Sequence, residues 1–292
     1  MRVWEQPERR YTTDRRGCGW ARMFAACAVL WTSAAWADPP HAPTGREIWA
    51  GADVSQNVWL LYSGVTIAPW SGIYDPGLRV RAAGAFGGYS YSDRVANEDP
   101  DGPVRRPVRF HAQTYVSDIL IGYLARFGEL TAKAFIGASM IGHDISPTDD
   151  ETVAIGTEVG LKGVLELWLN IGERGWGSLD LSWSEAHETR SARARLGYRI
   201  QPELSIGLEG GINLDAQGVC RIDGPGASGC KAMDETRSDP AELLDYVRIG
   251  VFVRYEWGVS EASLSAGAWG NSWQQDGQDF APYITVNWLT QF

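Results

Sequence analysis

The residues best suited to acid–base or nucleophilic chemistry are few, and they fall in predicted turns. His143 and Asp144 stand close to Asp149 in one turn, and an Asp–His set of this kind can activate water in a hydrolase. Ser184 and His187 are near neighbours in another turn, but neither an acidic partner nor a nucleophile elbow accompanies them. Since short acidic turns between strands are common, the sequence predicts solvated turns and no catalytic residues. A hydrolase site at the loop histidines is the alternative.

Paired carboxylates and cofactor motifs give no stronger signal. Glu158 and Glu166 share one face of a predicted strand, but their spacing of eight residues separates them by about 26 Å, at roughly 3.3 Å per residue. The carboxylates of a glycosidase lie about 5–10 Å apart, so these two cannot act as such a pair. The sequence has no Gly-rich phosphate loop and no metal-binding cluster, and it therefore predicts no cofactor and no metal site.

A larger set of polar and aromatic side chains lies on one face of a series of alternating segments. Two interpretations remain open: the charges pair with one another and stiffen a wall, or they join the aromatic rings in holding a sugar chain as it slides. The residues predicted to face a lumen, with possible contact to a glycan, are Arg79, Arg81, Tyr89, Tyr91, Tyr115, Glu158, Lys162, Glu166, Trp168, Arg195, Arg248 and Trp269.

The element that must position these side chains is a long strand with alternating faces. In one segment Val247, Ile249 and Val251 share a face, while Arg248 and Arg254 share the opposite face. Five segments show this pattern clearly, and several reach the roughly 9–11 residues that a membrane strand needs. Because Arg or Lys on a lipid-facing side costs about 2–4 kcal/mol at the bilayer midplane, the apolar face is predicted to meet lipid and the charged face a wet interior.

The same patterns predict twelve strands, an even number as a closed bacterial barrel requires. Tight turns such as 258–260 alternate with longer loops such as 92–106 and 215–243, and both chain ends fall on the tight-turn side. The predicted fold class is all-β, an antiparallel up-and-down transmembrane β-barrel of about 12 strands, with a β-sandwich or a soluble barrel as the alternative. The predicted strands are 47–54, 58–68, 78–91, 107–126, 130–143, 152–170, 178–186, 189–200, 204–214, 244–257, 261–270 and 280–292.

Composition and chain ends agree with this prediction. The 34 glycines and 14 tryptophans suit many strands and aromatic girdles, and a net charge of −10 offers no basic face for nucleic acid. Trp70, Trp176, Trp257 and Trp288 fall near the tight-turn side, where such a girdle belongs. The last strand ends on Phe292, which resembles the terminal signal of bacterial outer-membrane barrels.

The amino-terminal residues predict export. A basic stretch and the apolar run 23–31 precede an A-x-A cleavage site at 35–37, so residues 1–37 are predicted to be a cleavable signal peptide. Residues 38–45 then form a short N-terminal segment, and residues 46–292 form the barrel domain. Two cysteines remain after cleavage, Cys220 and Cys230, and in an exported protein they are predicted to form a disulfide.

Several short runs resemble the BcsS family of cellulose biosynthesis proteins. The runs are 49–54, 61–65, 78–81 with 87–91, 121–123, 143–149, 160–168 and 195–199. The resemblance implies a bacterial outer-membrane β-barrel that accompanies cellulose production and export, with no catalytic residues to carry over. It implies outer-membrane lipid, the cellulose chain and components of the cellulose synthase complex as partners. A general diffusion channel and an outer-membrane hydrolase are the alternative functions.

Overall fold

Twelve strands make up the part of the chain that the computed structural model describes, which comprises residues 45–99, 102–147, 156–214, 246–271 and 280–292. The side chains of 91–105, 214, 246 and 271 are not included in that description. The strands are β1 (Arg46–Ser55), β2 (Val58–Ile67), β3 (Gly77–Asp99), β4 (Gly102–Phe127), β5 (Leu130–Ser146), β6 (Gly156–Ile171), β7 (Gly175–Ser184), β8 (Arg190–Arg199), β9 (Leu204–Leu214), β10 (Tyr246–Trp257), β11 (Ser260–Asn271) and β12 (Phe280–Gln291). A short 3₁₀ helix, Ala186–Glu188, lies between β7 and β8.

The strands form a closed antiparallel barrel. Each strand pairs with its neighbours in sequence, and β1 pairs with β12, as in the register of Ala50 with Trp288. Where all twelve described strands pair around the barrel, closure leaves no unpaired sheet edge, which is the condition for a sheet to cross a bilayer. The predicted fold class is therefore confirmed. The end of the barrel where β1 begins and β12 ends is called the terminal rim, and the opposite end the loop rim.

Side-chain exposure follows the predicted alternation. Ile119, Val159 and Ile249 are 69%, 72% and 66% exposed, whereas Arg81 and Glu209 are 7% and 2% exposed. Apolar side chains thus cover the outside of the barrel and ionic ones turn inward. This arrangement avoids placing a charge in hydrocarbon and leaves the apolar belt in contact with lipid.

One predicted loop is wrong. Residues 92–106 are not a loop: β3 continues to Asp99 and β4 begins at Gly102, so the two form a long hairpin. Pro103 and Pro107 argue against a strand in the sequence because proline cannot donate to a ladder. Among the described residues, β5 pairs with β4 only from His111 onward, so Pro103 and Pro107 lie in a part of β4 that pairs with β3 alone. Proline is tolerated at such an edge position, where a missing N–H need not remove a ladder bond.

Several predictions concern residues that the structure does not describe. They are the signal peptide 1–37, most of the segment 38–45, and the disulfide between Cys220 and Cys230. Within the described ranges, no helix has both the length and the apolar character to cross a membrane.

Val251→Arg is expected to test the lipid-facing assignment. Val251 lies near the middle of β10 and is 59% exposed on the apolar face. Because an arginine there would sit close to the bilayer midplane, we expect the free energy of unfolding to fall by about 2–4 kcal/mol. Chemical denaturation in lipid vesicles measures this, with Val251→Leu as the control that keeps the face apolar. Equal stability of the two variants would mean that this face does not meet lipid.

Candidate functional site in the barrel lumen

Ionic side chains of the inward face join strands that are not neighbours. Arg81 on β3 donates to both carboxylate oxygens of Glu166 on β6, at 2.5 and 3.1 Å, although β4 and β5 lie between these strands. Lys162 on β6 reaches Asp118 on β4 at 2.6 Å in the same way. A contact that skips one or two strands of a closed wall must run through the interior. These side chains therefore lie in the lumen.

Acidic and basic side chains in the lumen are matched. Among the described residues, ion pairs within 4 Å join seven basic side chains to seven acidic ones. The basic members are Arg81, Lys133, Lys162, Arg193, Arg195, Arg248 and Arg254, and the acidic members are Asp53, Asp118, Glu166, Asp180, Glu209, Glu256 and Glu261. These pairs stiffen the wall and give the lumen a polar lining whose paired charges cancel.

Glu209 on β9 is the most enclosed of these carboxylates. It accepts hydrogen bonds from Arg193 at 2.5 Å, from Tyr283 Oη at 2.7 Å and from Ser265 Oγ at 3.0 Å, and its side chain is fully buried. The three donors come from β8, β12 and β11. One carboxylate thus ties together four strands, with donors on both sides of β9.

Aromatic rings stack inside the barrel near the terminal rim. Trp168 on β6 stacks on Trp176 on β7, with ring centroids 4.3 Å apart and planes 16° apart. Phe252 on β10 packs against Trp176 at 5.3 Å. Trp176 is fully buried, so its predicted place in an external girdle is wrong: it lies on the inward face with Ser178 and Asp180. The three rings are called the aromatic platform.

The segment 68–76 between β2 and β3 is fixed at the terminal rim by Arg79. The guanidinium donates to the carbonyl oxygens of Gly72 at 3.1 Å and Ile73 at 3.0 Å, and also to that of Asp75 and to Ser71 Oγ. Arg79 is completely buried, and Ile73 is only 2% exposed. Since both Nη atoms of the guanidinium donate to this segment, Arg79 holds the connection rather than lining open space.

Tyr74 attaches the same segment to the last strand. Its ring is largely exposed, but its hydroxyl is turned into the wall, where Gln291 Nε2 donates a hydrogen bond to it. Arg126 on β4 donates to the Tyr74 carbonyl at 3.1 Å. Loss of water around the hydroxyl raises the pKa of Tyr74 above its usual value. The segment is therefore tied to β4 and β12 as well as to β3.

Two histidines meet at the loop rim. The rings of His143 and His187 lie 5.0 Å apart edge to face, and Tyr89 Oη is 3.3 Å from His143 Nδ1. Glu158 Oε2 accepts a hydrogen bond from the His187 backbone N–H at 2.8 Å, and the same oxygen lies 3.8 Å from His187 Nδ1. His187 has φ near +50°, a left-handed conformation that is unusual outside glycine. Both histidines stand out in the sequence, but their contact with each other and with Tyr89 and Glu158 does not, because the four residues come from four separate segments.

A match to a protein-family model shows which family the chain belongs to. The family model described as "Cellulose biosynthesis protein BcsS" matches residues 48–219, which is more than half of the chain. This chain belongs to the BcsS family. The predicted resemblance is thus confirmed, and the matched region runs from β1 through β9 of the barrel. No curated protein sequence matches the chain.

The BcsS-family barrel is also similar to solved barrels at low sequence identity. The transport unit of the autotransporter AIDA-I from Escherichia coli aligns with a TM-score of 0.47 and 9% identity, covering 92% of this chain and 97% of that one. The KdgM porin aligns with a TM-score of 0.42 and 8% identity, covering 84% and 99%. The translocator domain of NalP from Neisseria meningitidis aligns with a TM-score of 0.39 and 11% identity, covering 85% and 87%.

Not every predicted lumen residue of the BcsS-family barrel faces the lumen. Tyr115 is a correction: it shares the outward face of β4 with Ile119 and Ile121, and its hydroxyl contacts Thr157 at 2.5 Å. The other face of β4 carries the buried Asp118. Because a charged side chain belongs in the lumen, and Tyr115 is three residues away on the same strand, Asp118 indicates that Tyr115 faces outward. The side chain of Tyr91 lies outside the described residues.

The remaining predicted residues occupy different heights in the BcsS-family lumen. Trp269 packs edge to face on Tyr283 at 6.3 Å, and Arg248 lies 3.8 Å from Asp53. Arg195 donates to Ser178 Oγ at 3.2 Å. The predicted set is therefore spread along the lumen rather than gathered at one point. Within the described ranges, no group of three His, Cys, Asp or Glu side chains has a geometry that could hold a metal ion.

Proposed function

We propose that this BcsS-family barrel is an exported, non-enzymatic accessory protein of the bacterial outer membrane that serves the biosynthesis and secretion of cellulose or a related neutral exopolysaccharide. Its partners would be outer-membrane lipid on the outside, the glucan chain in the lumen and components of the cellulose synthase complex. Family membership supports the link to cellulose. The apolar exterior supports the membrane setting.

The observation that carries this proposal is the paired charge of the lumen. Seven described basic side chains meet seven acidic ones, so the lining offers hydrogen-bonding groups without a strong field of one sign. A lumen that selects ions presents rings of like charge. A neutral chain rich in hydroxyl groups needs donors and acceptors instead, and ion-paired side chains, amides and hydroxyls supply both.

A hydrolase at the loop rim has one observation in its favour, the contact of His187 with Glu158 beside His143. The nearby hydroxyl does not complete such a site. Ser184 is fully buried, and its Oγ accepts a hydrogen bond from the Ala186 backbone N–H at 3.2 Å. A nucleophile has to face both its base and the substrate, so this geometry favours a structural turn over a catalytic one.

Deletion of the gene tests the proposed function. We expect cell-surface β-glucan, measured as glucose released by a cellulase, to fall several-fold while synthase activity in isolated membranes is unchanged. Complementation with the wild-type gene should restore the polymer. Unchanged surface glucan would contradict the proposal. If purified barrels then also gave a large conductance in planar bilayers that sugars do not alter, the protein would be a general diffusion channel.

A further inference from the structure

The aromatic platform is partly exposed through Trp168. Trp176 has Trp168 at 4.3 Å and Phe252 at 5.3 Å, whereas Trp168 is partly exposed. The guanidinium carbon of Arg254 lies 4.8 Å from the Trp168 centroid and 5.3 Å from the Trp176 centroid. If Arg254 covered the outer face of Trp168, its guanidinium carbon would be roughly twice as far from the Trp176 centroid as from the Trp168 centroid. The spacing between the two stacked rings would add to its own distance from Trp168. Arg254 therefore lies beside the stack, and the outer face of Trp168 is left uncovered by it.

Hydrogen bonds fix the orientation of this ring. Trp168 Nε1 donates to Asn170 Oδ1 at 3.3 Å, and Arg199 donates to the same oxygen at 3.4 Å. Trp176 Nε1 donates to Ser205 Oγ at 3.3 Å. A ring that is already held in place loses little freedom when a ligand stacks on it.

Polar groups suited to sugar hydroxyls surround the platform. Arg254 is held by Glu256 at 2.7 Å and by Glu261, and both carboxylates remain about one-third exposed. The exposed oxygens of Glu256 and Glu261 can accept hydrogen bonds from hydroxyl groups in the lumen.

We propose that Trp168, flanked by Arg254, Glu256 and Glu261, forms a binding subsite for a β-1,4-linked glucan at the terminal rim of the lumen. This inference deepens the proposed function and rests on it. Trp168 lies three residues from the end of β6 and Arg254 lies three residues from the end of β10, so both are near this rim. A chain that enters there would meet the platform before the ion-paired middle of the barrel.

The chemistry of the subsite selects this polymer class. In a β-1,4-glucan all ring hydroxyls are equatorial, so both faces of each sugar present axial C–H groups that suit the electron-rich face of an indole. The equatorial hydroxyls then point sideways, towards the exposed carboxylates of Glu256 and Glu261. Two carboxylates surround one guanidinium, so a polyanionic sugar chain would be repelled rather than bound.

Saturation-transfer NMR with cellohexaose, on barrels purified in detergent, tests the subsite. We expect wild-type protein to bind cellohexaose more strongly than maltohexaose, whose α-linkages do not give a flat chain. Trp168→Ala should weaken cellohexaose binding about tenfold. Trp168→Leu removes the aromatic face but keeps an apolar side chain, and it should weaken binding similarly. Trp183→Ala, which removes an outward-facing ring, is the matched control and should bind as wild type does.

Folding of each variant is checked by its resistance to SDS without heating, and if Trp168→Ala does not fold, Trp168→Leu decides the test. Wild-type binding in a folded Trp168→Leu variant would overturn the subsite, as would equal binding of maltohexaose or no cellohexaose binding by the wild type. The proposed function is judged separately in the deletion strain. If deletion abolishes surface glucan and Trp168→Leu fully restores it, the subsite is wrong and the proposed function stands.

Discussion

Replacement of Arg79 by alanine is expected to lower the free energy of unfolding by about 3–5 kcal/mol and to loosen the terminal rim. The guanidinium is completely buried and donates to the carbonyls of Gly72, Ile73 and Asp75 and to Ser71 Oγ. Alanine would leave the buried carbonyl of Ile73 without its donor and that of Gly72 with only the Asp75 backbone N–H. Each buried orphan costs about 1–3 kcal/mol, and the loss of packing around the guanidinium adds to this. Denaturation in lipid vesicles, followed by circular dichroism, measures the loss.

A second measurement distinguishes loosening of the terminal rim from destabilisation of the whole barrel. With the segment 68–76 no longer fixed, the ion conductance of Arg79→Ala in planar bilayers should exceed that of the wild type. Arg126→Ala is the matched control, because Arg126 is exposed and makes one hydrogen bond to the same segment, to the Tyr74 carbonyl. It should cost less than about 1 kcal/mol. If the two variants unfold at the same denaturant concentration, Arg79 does not anchor the rim.

The faces of the strands follow from the sequence because the physical constraint is strong and local. A period of two and the cost of a charge in lipid place Arg248 and Arg254 inside and Val251 outside without any knowledge of the partner strands. Tyr115 was misplaced because a tyrosine is acceptable on either face. The hairpin beyond residue 91 was missed because the effect of Pro103 and Pro107 depends on where β5 ends.

Contacts across the lumen lie beyond what the sequence can predict. Which carboxylate meets Arg81 depends on the stagger of the strands around the barrel, and stagger is a property of the closed sheet rather than of any one segment. The same holds for the stacking of Trp168 on Trp176, which requires the register of β6 with β7. The sequence predicted an inward-facing Trp168, but only the closed barrel supplies Arg254 beside it.

Glu209→Ala is expected to destabilise the barrel by about 3–5 kcal/mol, because it leaves Arg193 buried without its partner. Tyr283 and Ser265 would lose an acceptor at the same time. Glu209→Gln, which keeps one side-chain oxygen as an acceptor, should cost less. Thermal or chemical unfolding of the three proteins in vesicles gives the order of stability, and Glu203→Ala in the exposed turn before β9 is the control expected to have little effect.

A double-mutant cycle separates the value of the ion pair from the cost of orphaning one half of it. Arg193→Met removes the positive charge and keeps an unbranched apolar side chain. If much of the loss in Glu209→Ala comes from the stranded guanidinium, the double variant should be more stable than the sum of the single effects predicts, by about 1–3 kcal/mol. A paired but buried charge contributes little net stability, whereas breaking the pair is costly. If the stability changes of the two single variants are strictly additive, Arg193 finds water or another acceptor in the lumen once Glu209 is gone. This part of the lumen would then be wetter than the burial of Glu209 indicates.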